Sequence, residues 1–169
     1  MADPLSQIRI LVVDDNKQMR TIVGTVLAAA GVRHLFYAAD GRDALDKMNE
    51  VGGIDCAYVD FEMPGMNGLD FVSRVRGSEN GVRYLPIVMI TGYSDMAHLS
   101  LARDRGVTEF LRKPVTARDI LMRLEAVIMR PRHFVTSETY FGPDRRRKRQ
   151  TAYLGARRRQ GDHKELVEI

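Results

Sequence analysis

The feature that most constrains this chain is a fivefold alternation of short apolar runs with longer segments of helical period. Residues 8–13 (IRILVV) open it as a buried strand that ends in the polar cluster Asp14-Asp15-Asn16. Met19, Ile22, Val23, Val26 and Leu27 then recur at the spacing of one helix face, and Gly31 closes that segment. Residues 35–39 form a second strand, and Asp40 N-caps a helix carrying Ala44, Leu45 and Met48. Residues 56–60 form a third, followed by the turn Met63-Pro64-Gly65 and a helix over 69–75. Strand 85–90 with a helix near 95–104, and strand 107–111 with a helix near 116–129, complete the series.

Runs that are apolar throughout belong to strands buried on both faces, which means a parallel sheet between two helical layers. Right-handed crossovers favour the flavodoxin-like (βα)5 arrangement with strand order 2-1-3-4-5. The expected fold class is therefore α/β, with a body over residues 7–129 and an irregular, arginine-rich tail over 130–169. Charge separates the two parts. Residues 1–129 hold 15 Lys+Arg against 17 Asp+Glu, net −2, and residues 130–169 hold 11 against 5, net +6. A slightly acidic body with a basic tail implies that the tail meets an anion.

Open parallel sheets place ligands beyond the carboxyl ends of their strands. Those ends carry Asp14 and Asp15 (strand 1), Asp60 (strand 3), Thr91 (strand 4) and, after strand 5, Lys113-Pro114. Each acid alone also reads as a strand-end cap; their occurrence together points to chemistry. Three converging carboxylates repel one another unless a cation joins them, and hard oxygen ligands suit Mg²⁺. Asp60 can then act as a carboxylate nucleophile that forms an aspartyl phosphate. Lys113 and the Thr91 hydroxyl can hold the phosphoryl oxygens during transfer.

These residues, with the sequence Val-Asp-Phe-Glu-Met-Pro-Gly-Met-Asn-Gly around Asp60, resemble the CheY-like response-regulator receiver family over roughly residues 7–129. The resemblance implies that Asp60 accepts phosphate from a histidine kinase or phosphotransfer protein. It implies that Asp15, Asp60 and the backbone carbonyl of Glu62 ligate Mg²⁺, with Asp14 close by, and that the Lys113–Pro114 peptide is cis. The switch pair would be Thr91 with Phe110. Many relatives carry tyrosine at the latter position; without a hydroxyl, the two states would differ by packing alone. Glu62 and Tyr93 fall where the family varies and are placed to steer the water that hydrolyses the phosphate.

About forty residues after position 129 are too few and too polar to bury a DNA-binding core, so DNA is not an expected partner. The tail reads Tyr140-Phe-Gly-Pro-Asp-Arg-Arg-Arg147 and, thirteen residues on, Tyr153-Leu-Gly-Ala-Arg-Arg-Arg159. Both copies share Tyr-x-Gly-x-x-Arg-Arg. Two readings compete: a solvated basic arm that binds any polyanion, and a guanine reader. Arginine forks bidentately onto guanine and phosphate and stacks on bases, tyrosines stack, and Asp144 can accept from a guanine edge. A twofold motif suits a twofold ligand of two guanines and two phosphates, which describes cyclic di-GMP. The tail also resembles the arginine-rich extension of the Cle proteins, CheY-like cyclic di-GMP effectors of alphaproteobacteria. The expected contacts are Tyr140, Asp144, Arg145, Arg146, Arg147, Tyr153, Arg157 and Arg158. That resemblance implies docking on the flagellar motor switch protein, an effect on motility and chemotaxis, and recruitment to the flagellar pole.

The N-terminus lacks an apolar stretch of signal-peptide length and no run is long enough for a membrane span, so a cytoplasmic, non-enzymatic signalling protein without membrane insertion is expected. Cys56, the sole cysteine, reads as a buried hydrophobe. Met19, Met48, Met122 and Met129 read as core residues. His34, His98, His133 and His163 read as surface residues.

Overall fold

The computed structural model describes residues 3–93 and 96–146, and the backbone of one further strand at 165–167. After a 3₁₀ turn at Pro4–Gln7 come β1 (Arg9–Val13), α1 (Lys17–Ala29), β2 (His34–Ala38), α2 (Gly41–Val51) and β3 (Cys56–Asp60). They are followed by α3 (Gly68–Arg76), β4 (Ile87–Thr91), α4 (Met96–Asp104), β5 (Glu109–Arg112) and α5 (Ala117–Met129). The five strands form one parallel sheet in the order β2-β1-β3-β4-β5, as the alternation of elements predicts.

Alternate strand residues feed two separate cores. Leu11, Val13, Ala57, Val59, Ile87 and Met89 point to the face covered by α2, α3 and α4. Ile10, Val12, Cys56, Tyr58, Val88 and Ile90 point to the face covered by α1 and α5. This two-sided burial is why the strands read as unbroken apolar runs. The Tyr58 hydroxyl, buried in the second core, donates to the carbonyl of Ile120 at 2.9 Å. Side-chain caps start the helices: Asn16 accepts from Gln18 N, Asp40 from Asp43 N, Asn67 from Asp70 N and Thr116 from Asp119 N.

Strands β4 and β5 begin two residues later than hydrophobicity suggests. Leu85 is buried, yet the ladder with β3 starts only at Ala57↔Ile87, so Leu85 packs without pairing. The methionines divide. Met48 lies in the core and Met19 is half-buried, while Met122 and Met129 are 47% and 72% exposed. The core face of α5 is set by Ile120, Leu124 and Val127, and Met122 falls midway between two of its members, on the opposite side.

The beginning of the tail departs from the irregular course expected of it. Residues Phe134–Ser137 (β6) and Tyr140–Pro143 (β7) form an antiparallel hairpin, and β6 pairs on its other edge with Glu165–Val167 (β8). The hairpin packs on the body at the amino ends of β4 and β5, opposite the carboxyl ends that carry Thr91 and Lys113. Phe134 and Val135 are buried there, and the ring of Tyr84 meets Phe134 and Phe141 edge-on at 5.3 and 5.4 Å. The Arg76 guanidinium lies 4.9 Å from the Phe134 ring and donates to the carbonyls of Gly106 (3.0 Å) and Arg83 (2.8 Å). Burial pulls its pKa down to about 9, which leaves it charged at neutral pH. Arg83 covers Phe141 at 3.6 Å, and Arg132 pairs with Glu109 at 2.7 Å. Apolar rings in an otherwise polar stretch found a surface to cover, which composition alone hides. Among the described residues, no helix is long and apolar enough to cross a membrane.

Candidate functional site: an acidic pocket at the sheet's carboxyl edge

The parallel sheet brings the ends of β1, β3, β4 and β5 to one edge, and all the predicted receiver residues arrive there except Phe110. Asp14 and Asp60 are buried and Asp15 is exposed, and their carboxylates each offer an oxygen within 4.8 Å of the others. Lys113 Nζ lies 2.7 Å from Asp60 Oδ1. The Lys113–Pro114 peptide is cis. Thr91, buried at the end of β4, accepts from the Tyr93 backbone N–H at 2.9 Å. Phe110 sits further back on β5 opposite Met89, half-buried against the first core.

Three local contacts fix the acids. Asp14 Oδ1 accepts from Asn16 N at 2.8 Å, and Arg20 donates to the Asp14 carbonyl at 2.7 Å. Gly68, the first residue of α3, lies directly beneath Asp60. A Cβ there would stand 2.3 Å from the Asp60 carbonyl oxygen, so only glycine lets the helix start this close to the strand.

Electrostatics mark the pocket as a cation site. Burial, resisted by the Asn16 hydrogen bond and reinforced by the neighbouring Asp60 charge, pushes the Asp14 carboxyl up to about 6. Burial also raises Asp60, against the hydrogen bond from Lys113. Lys113 loses by desolvation and gains more from Asp60, Asp14 and Asp15, so its pKa rises. Asp14 Oδ2 is buried without a hydrogen-bond partner. One lysine thus faces three carboxylates, with a buried oxygen left over, and this donor set fits a hard divalent ion such as Mg²⁺.

A pH prediction follows from Asp14. A carboxyl raised from the ordinary value near 4 to about 6 disfavours the folded state increasingly as pH climbs through that window. A cation at the carboxylates removes that penalty and competes with the proton below it. The rise in Tm on adding Mg²⁺ is therefore expected to be larger at pH 7.5 than at pH 5. Equal increments at both pH values would show that Asp14 ionisation is not linked to the ion.

Three side chains beside the pocket form a unit that the sequence suggests only in part. The Tyr93 hydroxyl donates to Glu62 Oε1, which joins the two positions expected to steer water. His98 of α4 stacks on Tyr93 with centroids 4.0 Å apart, and Phe61 meets both rings edge-on. His98 is thus half-buried at the pocket rather than a bystander; a lone histidine without metal-ligand spacing gave no signal of this. His34 and His133 are exposed as expected, and His163 lies outside the described residues.

Of the predicted nucleotide contacts, Arg147, Tyr153, Arg157 and Arg158 lie outside the described residues. The others cluster at the end of the hairpin. The Tyr140 hydroxyl donates to the Pro143 carbonyl at 2.9 Å, and the Arg145 guanidinium lies 4.0 Å from the Tyr140 ring centroid. Asp144 Oδ1 accepts from Arg146 N at 3.0 Å. Gly142 serves the hairpin: a Cβ there would come 2.6 Å from the Tyr140 hydroxyl and 3.0 Å from Gly106 Cα.

Comparison with known proteins agrees with this geometry. Residues 10–125 match the response regulator receiver domain. Chemotaxis protein CheY1 of Helicobacter pylori is 34% identical over 120 residues, which cover 71% of this chain and 96% of that one. Chemotaxis protein CheY of Pseudomonas aeruginosa is 33% identical over 122 residues, 72% of this chain and 97% of the relative. The structure of Vibrio cholerae chemotaxis protein CheY4 superposes with a TM-score of 0.67 at 32% identity, covering 72% of this chain and 98% of that one. The chain belongs to the response regulator receiver family. It is a CheY-like receiver of the kind that serves chemotaxis and two-component signalling.

Proposed function

We propose that this protein is a non-enzymatic signalling effector with two inputs, phosphorylation at Asp60 and cyclic di-GMP at the arginine-rich tail. The observation that carries the first input is Asp60 itself: buried at the end of β3, 2.7 Å from Lys113 and within 4.8 Å of the Asp14 and Asp15 oxygens. An Asp60 carboxylate oxygen forms the new bond to phosphorus while the bond to the imidazole nitrogen of a phosphohistidine donor breaks, and the electron pair leaves with the imidazole. Lys113 offsets charge on the acceptor, and the Thr91 hydroxyl is sited to donate to a phosphoryl oxygen. Mg²⁺ held by Asp14, Asp15, Asp60 and the Glu62 carbonyl would supply charge neutralisation for the incoming phosphoryl group. The donor is a histidine kinase or phosphotransfer protein.

The second input rests on the paired Tyr-x-Gly-x-x-Arg-Arg motifs and on the arginine–tyrosine stack at the first of them. The output is a protein–protein contact at the flagellar motor switch, with the protein cytoplasmic and recruited to the flagellar pole.

One set of measurements tests both inputs. With Mg²⁺ and a ³²P-phosphorylated donor, the full-length protein should take label and Asp60→Asn should take none; equal labelling would remove Asp60 as acceptor. Calorimetric titration with cyclic di-GMP at low and moderate salt should show affinity of about micromolar or tighter that persists with salt and discriminates against cyclic di-AMP. It should be lost when Arg146, Arg147, Arg157 and Arg158 are all changed to alanine. Binding that collapses with salt would instead mark a general polyanion arm.

A further inference from the structure

Arg145 is held from two sides, and one of them belongs to the receiver body. Its guanidinium lies over the Tyr140 ring at 4.0 Å, and its Nη1 is 2.9 Å from Oδ1 of Asp104, the last residue of α4. The Tyr140 ring is itself immobilised. Its hydroxyl is bound to the Pro143 carbonyl, and Gly142 leaves the space the ring folds into against Gly106. The stack is therefore layered on a fixed ring, with its edge tied to a fixed helix end. Arg145 remains 38% exposed and Asp104 58% exposed, so the assembly is partly open to solvent. A guanidinium plane backed by an aromatic ring presents its free face to another flat π system.

We propose that the nucleotide seat is built jointly by the tail and the receiver body. The Tyr140–Arg145 stack is the platform for one purine, and Asp104 is a positioning residue that holds it in place. The proposal rests on the reading of the tail as a cyclic di-GMP receptor and adds a body residue that the tail motif does not contain. Holding a long side chain in its bound rotamer before the ligand arrives saves the ordering loss of that side chain, worth about fivefold in affinity. Asp104 also adds a negative charge near an anionic ligand. That charge is exposed, already paired with Arg145 and screened by salt, so the ordering effect dominates.

The test is a double-mutant cycle on the full-length protein with cyclic di-GMP as the probe, at moderate salt. Asp104→Ala should weaken binding about fivefold, Asp104→Glu should restore most of the loss, and Asp104→Ala combined with Arg145→Ala should bind no more weakly than Arg145→Ala alone. Unchanged Tm for each variant separates positioning from unfolding. Asp104→Ala or Asp104→Asn binding as tightly as wild type, or more tightly, overturns the proposal, as do additive effects of the two substitutions. A wild-type protein that does not bind cyclic di-GMP at all overturns the nucleotide reading itself, a separate result.

Discussion

Gly68→Ala is expected to damage stability and phosphoryl transfer together. The added methyl would stand 2.3 Å from the Asp60 carbonyl oxygen and 3.1 Å from the Met89 sulfur. The sulfur can swing aside, but the carbonyl belongs to the last residue of β3, so relief requires the helix start or the acceptor strand to move. Overpacking of this kind costs about 3 kcal/mol, which for a domain of this size lowers Tm by roughly 6–10 °C. A shift of the acceptor by a fraction of an ångström misaligns in-line attack, and labelling from a phosphorylated donor should slow by about tenfold or more. Thermal denaturation and transfer kinetics read the two effects independently. A variant with wild-type Tm and rate would mean that the loop between β3 and α3 absorbs the methyl freely.

The largest effect outside the pocket is expected at Arg76. This buried guanidinium holds the Gly106 and Arg83 carbonyls and lies against Phe134, so it joins α3, the amino ends of β4 and β5, and the hairpin. Arg76→Ala would leave two carbonyls without their donor, open a cavity and strip the support from Phe134. Unsatisfied buried acceptors at about 1–3 kcal/mol each, with a desolvated cation–π contact of about 2 kcal/mol, put the loss near 4 kcal/mol or above. Urea unfolding followed by circular dichroism measures it. A loss under about 1 kcal/mol would show that the hairpin and body are energetically independent. The same junction explains why the arginine motif is better probed by substitution than by cutting the chain at residue 129, which would expose Tyr84 and Arg76 along with removing the tail.

The two ends of the sheet differ in how far the sequence specifies them. At the carboxyl edge, Asp14, Asp15, Asp60, Thr91 and Lys113 were each placed by strand periodicity, because in a parallel sheet the residue after each apolar run must emerge at the same edge. Strand starts are less legible: Leu85 is apolar because it is buried, and burial does not require ladder pairing. The union of Glu62, Tyr93 and His98 was half visible. Two of its members lie two residues past strand ends, while the third depends on how α4 packs.

At the amino edge little was legible. Phe134 and Phe141 stand among charged and small residues whose composition reads as tail, and nothing local announces that Tyr84, Arg76 and Arg83 wait to receive them. What the sequence by itself determined was the alternation of elements, the strand order and which residues meet in the pocket, because these follow from period, handedness and the ends of strands. What only the tertiary structure decided was which distant side chains share a surface: Arg76 beneath Phe134 and Asp104 beside Arg145. Those pairings depend on the approach of elements separated by many residues, and contact at that range leaves no mark on local sequence.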